Sequence, residues 1–164
     1  MEMWQRIIQS IDKNLPLEQI LQNLAETIQV SLDVKACNIF LKDNQSMFTL
    51  MATTLTPLLA GLIHIHIKHD AVGQAVIREK TVIIDDIYQY NTPTTLSAFS
   101  REKLRGLLCV PIIHTGSVIG IITVQSLSKA NFSENLQTTL VTLCLNISDI
   151  LTNFIEKGSI SQLV

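Results

Sequence analysis

The chain has 164 residues, of which 47% are hydrophobic and 16% are charged. A domain of this length buries roughly 70% of the surface that its unfolded chain exposes, so one hydrophobic core is expected without disulfide or metal staples. Twelve basic and fourteen acidic residues give a formal net charge of −2. So small a charge provides no field to steer nucleic acid or an anionic membrane, and neither is predicted as a partner.

The cysteines indicate the redox compartment of the protein, and the long uncharged stretches raise the question of a membrane span. Cys37, Cys109 and Cys144 stand among apolar residues, without CxxC spacing or a secretory leader, which predicts a reducing, cytoplasmic location. Two uncharged stretches, residues 46–67 and 106–128, are about as long as a membrane-spanning helix needs to be, roughly 20 residues. Prolines and turn-forming residues interrupt both, and their apolar runs are short and β-branched, so buried strands are predicted instead.

The first part of the chain predicts two helices and a hairpin. Apolar residues three and four apart, from Leu17 to Leu32, predict an amphipathic helix, and a shorter stripe before Pro16 predicts another. Residues 34–42 and 47–54 have strand composition and are separated by a polar turn. They predict a β-hairpin.

The middle of the chain is less regular. Residues 62–68 alternate isoleucine with polar side chains, which is typical of a half-exposed strand. Residues 71–80 have helical spacing, and residues 82–84 form a short apolar strand. The segment 88–100 is polar, contains Pro93 and has weak periodicity. It is predicted to be an irregular loop, the kind of segment in which binding surfaces are common.

The last third predicts a second hairpin and a long helix. Residues 107–113 and 118–124 are apolar runs joined by a turn, Ser133 has the character of an N-cap, and a heptad-like apolar row extends to Gly158. Adjacent antiparallel strand pairs flanked by helices predict an α+β domain rather than a doubly wound parallel sheet.

The second hairpin and the following helix start also carry a family resemblance. The residues concerned are Leu108-Cys109-Val110-Pro111-Ile112-Ile113, Gly116, Val118-Ile119-Gly120-Ile121-Ile122-Thr123-Val124-Gln125 and Phe132-Ser133-Glu134. In this order they resemble the GAF family over nearly the whole chain. Four segments are most similar to the N-terminal GAF domain of nitrogen-branch phosphoenolpyruvate-protein phosphotransferases, the PtsP type: Leu50-Met51-Ala52-Thr53, Val110-Pro111-Ile112-Ile113, Val124-Gln125 and Leu140-Val141-Thr142-Leu143.

The resemblance implies a six-stranded antiparallel sheet with the N- and C-terminal helices on one face and a small-molecule pocket on the other. It implies that residues 71–80 and 85–100, together called the roof below, cover that pocket. It further implies a sensor of nitrogen status, with an amino acid or 2-oxo acid as effector, that regulates downstream phosphotransferase domains. One GAF domain over residues 1–158 is expected, with a tail or linker start at 159–164.

The chain departs from the family pattern in the pocket region. Ala71 and Cys109 stand where the family often has glycine, and residues 91–96 replace a phenylalanine and charged residues of the usual roof loop. These departures predict either a changed ligand or a pocket filled by side chains.

Candidate ligand-binding residues cluster in the roof and the second hairpin. Asp85 and Asp86 end a strand beside the loop, where they either receive an ammonium or amide group or cap the following turn. Threonine hydroxyls in the loop lack a neighbouring base, which favours hydrogen bonding over nucleophilic chemistry. The predicted set is Asp85, Asp86, Tyr88, Thr94, Thr95, Phe99, Leu108 and Val110, the last two as an apolar floor.

Metal and cofactor chemistry is disfavoured. His64 and His66 project to one side of a predicted strand, near His69 and Asp70, but a structural zinc site needs four ligands and solvent-facing histidines are the favoured interpretation. No metal is predicted. No cysteine lies within residues 85–105, where a free methionine sulfoxide reductase or an attached bilin would need one, and one imidazole is weak support for haem. No cofactor is predicted.

Three functions from different classes remain open. The first is a non-catalytic sensory domain with a small-molecule effector, the second a ligand-free structural dimerisation domain, and the third a sulfoxide reductase. The segment is predicted not to be an enzyme. Its terminal stripes, which include Ile7, Ile11, Ile150 and Phe154, exceed what one sheet face requires and predict a parallel homodimer through the terminal helices.

Overall fold

The computed structural model describes residues 1–43, 46–129 and 132–156, without the side chains of 155 and 156. The predicted helix end at Gly158 and the predicted tail at 159–164 lie outside these ranges. The helices and strands are α1 (Met3–Gln9), α2 (Leu17–Leu32), β1 (Ala36–Lys42), β2 (Met47–Thr53), β3 (His64–His66), α3 (Gln74–Arg78), β4 (Val82–Ile84), β5 (Gly106–His114), β6 (Ser117–Ser126) and α4 (Glu134–Glu156). Short 3₁₀ turns lie at Pro57–Leu59, Ala71–Gly73, Ile87–Gln89 and Thr95–Phe99.

The six strands form one sheet in the order β3-β2-β1-β6-β5-β4. Every neighbouring pair is antiparallel. β5 and β6 are joined by a tight turn in which Thr115 and Gly116 both have positive φ, the conformation that matches the twist of a hairpin. The predicted α+β class and six-stranded antiparallel sheet are confirmed.

Three helices, α1, α2 and α4, pack on one face of the sheet. The apolar stripe of α2 is buried as its 3.6-residue period requires, and the helix ends at Asp33, which has a left-handed backbone with a φ of 52°. The hydroxyl of Ser133 accepts a hydrogen bond from the Leu136 N–H at 3.0 Å, so the predicted N-cap of α4 is confirmed. Ile39, Val110 and Ile122 meet these helices from the central strands.

The opposite face of the sheet is covered by the roof. Phe40, Leu50 and Leu107 point to this side from the strands and pack in one cluster with Val72 and Leu96 of the roof. The sheet therefore has two buried faces, and its strands lack the polar outer face of a half-solvated antiparallel sheet.

Two predicted elements are shorter than expected. The strand predicted over residues 62–68 is limited to β3, because Leu50 of β2 bonds instead with Ile63 and Gly61 of the preceding loop, at 2.8 and 2.7 Å. The helix predicted over 71–80 is a 3₁₀ turn followed by α3. It ends at Glu79, which has a left-handed backbone.

One argument for the dimer is corrected. Ile7 is 1% exposed within the single chain and belongs to the core beneath α1 and α4, so it is not surplus apolar surface. Ile11 and Phe154 also pack partly on that core. In the described part of the chain, none of the helices has the length and apolar character needed to cross a membrane.

Candidate functional site

The centre of the roof-facing side of the sheet carries a cluster of buried uncharged polar side chains. Asn38, Thr53, Thr123 and Gln125, called the polar floor below, are each 2% exposed or less. The Asn38 amide nitrogen donates to the Thr123 hydroxyl at 3.0 Å and to the Gln125 amide oxygen at 2.8 Å. The Thr53 hydroxyl donates to the Asn38 amide oxygen at 2.6 Å. The floor is thus an organised network in an otherwise apolar face.

Two hydrogen-bond donors of the polar floor remain uncommitted within the described residues. The Gln125 side chain bonds through its amide oxygen, which leaves its amide nitrogen, and the Thr123 hydroxyl accepts from Asn38, which leaves its own proton. Asn38 itself uses its oxygen and donates twice from its nitrogen. The floor can therefore offer hydrogen atoms to an acceptor placed above it.

Strand register decides which residues share the polar floor. Asn38 lies opposite Thr123 on the neighbouring strand, and Thr123 lies opposite Cys109. Because side chains alternate along a strand, Leu108 and Val110 point to the helices and pack in the helix-face core. The prediction that these two form a pocket floor is corrected: that position belongs to Leu107 and Cys109, on the roof side.

Asp70 holds the roof in place. Its carboxylate is buried and accepts from two backbone groups, the Val72 N–H at 3.0 Å and the Thr95 N–H at 2.8 Å. It therefore connects the two halves of the roof through one side chain. Gly73 follows in the same turn, and any Cβ there would collide with the Ile67 carbonyl, so the roof approaches the preceding chain too closely for a larger residue.

The roof is closed on the sheet. Val72, Ala75 and Leu96 project beneath it and are at most 1% exposed. They pack against Leu107 and Cys109 in one apolar cluster. Side chains of the protein itself thus fill the interface between the roof and the sheet along this part of the chain.

Asp85 and Asp86 have different surroundings. Asp85 is exposed, whereas Asp86 is buried, accepts from the Tyr88 N–H at 3.0 Å and bonds the Arg105 guanidinium at 2.6 Å. Burial alone would raise the pKa of Asp86, but the bonds from Tyr88 and Arg105 hold that pKa below its ordinary value of 3.8. Asp86 caps the turn Ile87–Gln89, as one of the two sequence interpretations proposed.

Tyr88 and the two predicted threonines also take local roles. The Tyr88 ring is 42% exposed, and the Lys103 ammonium lies 4.5 Å from its centroid, in cation–π geometry. Thr94 is buried and its hydroxyl accepts from the Leu96 N–H at 3.3 Å. Thr95 is exposed and donates its backbone N–H to Asp70.

Clefts open at both ends of the roof. One of about 260 Å³ includes Asp85, Asp86 and Lys129 in its wall. The other, of about 380 Å³, includes Leu55 and Phe99. The Phe99 carbonyl accepts from the Thr56 hydroxyl at 3.3 Å. The structure therefore separates the predicted aspartates from Phe99. The polar floor was not predicted from the sequence, and its four residues are in the wall of neither cleft. Polar residues alternating with apolar ones at 123 and 125 were the available signal.

The three cysteines are inert by position. All are free and buried. Burial raises the pKa of each thiol, and for Cys109 the nearby Asp70 carboxylate raises it further. Buried thiols with raised pKa values are poor nucleophiles, because the thiolate is the reactive species.

The histidines of β3 make local contacts. His64 Nδ1 lies 2.9 Å from the Asp43 carboxylate and 2.8 Å from the Thr49 hydroxyl, while the His66 and His69 rings lie 4.7 Å apart. Among the described residues, no group of three or more potential ligands is arranged to hold a metal ion.

With this architecture established, the chain belongs to the GAF family. A family model described as a GAF domain matches residues 14–152. A search of curated proteins gave no match.

Solved structures locate the chain more closely within the family. It is similar to the GAF domain of a phosphoenolpyruvate-protein phosphotransferase (ptsP) from Coxiella burnetii, with 25% identity, a TM-score of 0.85, and coverage of 95% of this chain and 94% of that one. It is also similar to the GAF domain of the Acinetobacter phosphoenolpyruvate-protein phosphotransferase, with 24% identity, a TM-score of 0.78 and 94% coverage of each chain. The predicted resemblance to PtsP-type GAF domains is confirmed.

The same fold also occurs in enzymes. Free methionine-R-sulfoxide reductase from Neisseria meningitidis shares 22% identity, with a TM-score of 0.69 and coverage of 98% of this chain and 87% of that one. At this identity the likeness concerns the fold alone. The sites of the two proteins must be compared residue by residue.

Proposed function

We propose that the chain is a non-catalytic regulatory domain that binds a small-molecule effector between the roof and the polar floor. The observation that carries this proposal is the floor itself. Ligand sites are largely apolar concavities with a few convergent polar groups, and Asn38, Thr123 and Gln125 provide such groups on the face that the roof covers. A buried polar group costs free energy unless it is hydrogen-bonded, and a ligand acceptor would pair the Gln125 amide nitrogen and the Thr123 hydroxyl proton, which have no partner within the network.

The regulated partner in this proposal is a phosphotransferase domain of the same cytoplasmic protein. An effector regulates only if it binds two conformations with different affinity. In this proposal the two conformations differ in the roof, which is held closed by the hydrogen bonds that the Asp70 carboxylate accepts from Val72 and Thr95. Displacing them would shift the roof against β5 and thus against α4, which packs on the other side of that strand.

The output of the domain is proposed to pass through a homodimer of the terminal helices. Ile150 and Phe154 remain partly exposed near the end of α4, and Leu145 is exposed on the same helix. A parallel arrangement would place both copies of α4 side by side, in line with the proposed downstream phosphotransferase domain. Light scattering at tens of micromolar should then give twice the mass of one chain.

A second candidate is a structural dimerisation domain without a ligand. The closed roof favours it, because Val72, Ala75 and Leu96 already occupy the interface with the sheet. The third possibility, a sulfoxide reductase, is opposed by the burial of Cys37, Cys109 and Cys144, because such an enzyme needs accessible thiolates.

A thermal-shift screen separates the first two candidates. Amino acids, 2-oxo acids, cyclic nucleotides and tetrapyrroles are tested, since a ligand at a hundred times its dissociation constant stabilises by about 2.7 kcal/mol. We expect a saturable rise in melting temperature that is reduced in Thr123→Val, which removes a floor hydroxyl, and kept in Thr138→Val on exposed α4 surface. If no compound raises the melting temperature, the ligand-free structural function stands instead.

A further inference from the structure

A cleft opens on the helix face of the sheet, away from the roof. It has a volume of about 510 Å³, within the range of small-molecule sites. Its wall includes Glu18 and Gln22 of α2, Met51 of β2, and Pro57 and residues 60–62 of the loop that leads to β3. Met51 belongs to the helix-face core, so the sheet separates this helix-face cleft from the roof. We infer that the helix-face cleft binds a small molecule with an apolar body and one positively charged ammonium group.

Hydrogen bonds hold both walls of the helix-face cleft in place. The Gln22 amide nitrogen donates to the Thr53 carbonyl at 3.0 Å, and the Gln22 amide oxygen accepts from the Thr53 N–H at 3.3 Å, which fixes α2 to the end of β2. On the opposite wall the Gly61 N–H donates to the Leu50 carbonyl at 2.7 Å. Gly61 has a φ of 84°, a conformation that favours glycine. The cleft is therefore preformed, as small-molecule sites usually are.

Most of the cleft wall is apolar. Met51, Pro57, Ala60 and Leu62 contribute hydrocarbon and thioether surface to it. Leu62 is 69% exposed, and Leu58 of the same loop is 89% exposed. Two large apolar side chains therefore stand in water at this loop, and a ligand with an apolar body would be stabilised by removing part of their surface from water.

The loop and Gln22 have no hydrogen-bond donor left for an anion. Pro57 has no backbone N–H, and each N–H of residues 60–62 already donates to a carbonyl of the protein. Both hydrogens of the Gln22 amide nitrogen are also used, one by the Thr53 carbonyl and one by the Glu26 carboxylate. The Gln22 amide oxygen accepts one N–H and keeps a second lone pair. These groups can therefore accept from a ligand but cannot donate to it.

Glu18 provides the charge of the cleft. Among the described residues of the wall it is the one that is ionised at neutral pH. It is exposed, and within the described part of the chain it forms no ion pair. It lies in the first turn of α2, where its carboxylate already offsets the positive end of the helix dipole. A ligand ammonium would be attracted to Glu18, whereas a ligand carboxylate would be repelled by it.

Three indole compounds that share an apolar body but differ in charge test the inference. Tryptamine, tryptophol and indole-3-acetate are titrated into the full chain near neutral pH, and the dissociation constants are taken from the shifts of backbone amide NMR signals. We expect cationic tryptamine to bind at least about threefold more tightly than neutral tryptophol, as an ion pair near the protein surface allows. Anionic indole-3-acetate should bind most weakly. Indole-3-acetate that binds as tightly as tryptamine, or no binding by any of the three, overturns the inference.

The same titration shows where the probe binds. The amide signals of residues 60–62 should shift with tryptamine, and those of Val72 and Leu96 in the roof should not. Shifts confined to the roof would place tryptamine in the proposed effector site and would contradict the inference. Because the two sites lie on opposite faces of the sheet, a negative result at the helix-face cleft leaves the proposed function intact.

A charge-removing variant tests the role of Glu18. Glu18→Gln changes an exposed side chain, so the fold should be kept, and the ratio of tryptamine to tryptophol affinity should fall to about one as the ion pair is lost. Glu134→Gln is the matched control, because Glu134 is also exposed and lies in the first turn of α4. It should keep the wild-type ratio. A wild-type ratio in Glu18→Gln would mean that the ammonium is bound elsewhere, and would overturn the inference.

Discussion

The two faces of the sheet are both buried, but they are built differently. The helix face meets helices of 16 and 23 residues, and its core is a continuous set of apolar side chains. The roof face meets turns and a five-residue helix, and it includes the polar floor and Asp70. Apolar burial provides stability without directional requirements, whereas buried polar groups provide specificity at a cost.

The hydrogen bonds of the two faces differ in the same way. Backbone bonds of α2 and α4 repeat along the helix, so losing one leaves its neighbours in place. The roof turns depend on single side-chain acceptors, Asp70, Asp86 and Thr94, each serving the N–H two residues later. The helix face is therefore suited to hold the domain together, and the roof is suited to rearrange.

The largest expected effect tests the helix face. Leu21→Ala removes a fully buried side chain of α2 and should lower the free energy of unfolding by about 2–5 kcal/mol, because it loses apolar burial and leaves a cavity. Urea denaturation measures the change. Val30→Ala on the same helix is the control, since Val30 is 80% exposed and should alter stability by about 0.5 kcal/mol or less. Equal losses in both variants would refute the assignment of the core to this face.

A smaller effect is expected in the roof. Asp70→Ala deprives the Val72 and Thr95 N–H groups of their acceptor and should cost about 1–3 kcal/mol. Hydrogen exchange should speed up at these two amides while α2 amides stay protected. Asp12→Ala, at an exposed position, should leave both rates unchanged. Uniform acceleration across α2 and the roof would show instead that the two faces open together.

The smallest effect concerns pH at the roof end. The pKa of Asp86 is lower in the folded chain than its ordinary value, so its contribution to stability is present above that value and is lost as the pH falls through the folded pKa. The free energy of unfolding, measured with urea, should therefore fall less in Asp86→Asn than in the wild type when the pH is lowered from about 5 to about 2.5. These two pH values lie on either side of the ordinary Asp pKa of ~3.9. An identical decline in both proteins would show that Asp86 does not contribute to the loss of stability in acid.

The elements with strong periodicity could be predicted from sequence. The stripe from Leu17 to Leu32 coincides with α2, and the apolar run 82–84 coincides with β4. The second hairpin was also predicted, since Gly116 accepts the positive φ that its turn requires. The roof was predicted less well, because its turns depend on side-chain acceptors such as Asp70, which bonds Thr95 far along the chain.

Residues on β5 and β6 show which structural information the hydrophobic pattern of the sequence does not contain. Leu107 and Leu108 have the same side chain, and a continuous apolar run does not show which of them faces the helices. Thr123 and Gln125 lie within a predicted strand. Their two-residue spacing was the one sign in the sequence that they share a face of the sheet. Only the register with Asn38 reveals that they form a network.

The sequence by itself determined the helices, the strand pairs, the α+β class and the GAF resemblance, because these follow from local period, turn chemistry and motif. Tertiary structure decided which strand face meets the roof, brought Asn38, Thr123 and Gln125 into one network, and paired Asp86 with Arg105 and Asp70 with two turns. The physical reason is that pairing between distant residues depends on strand register and packing, which are properties of the assembled chain and not of any single segment.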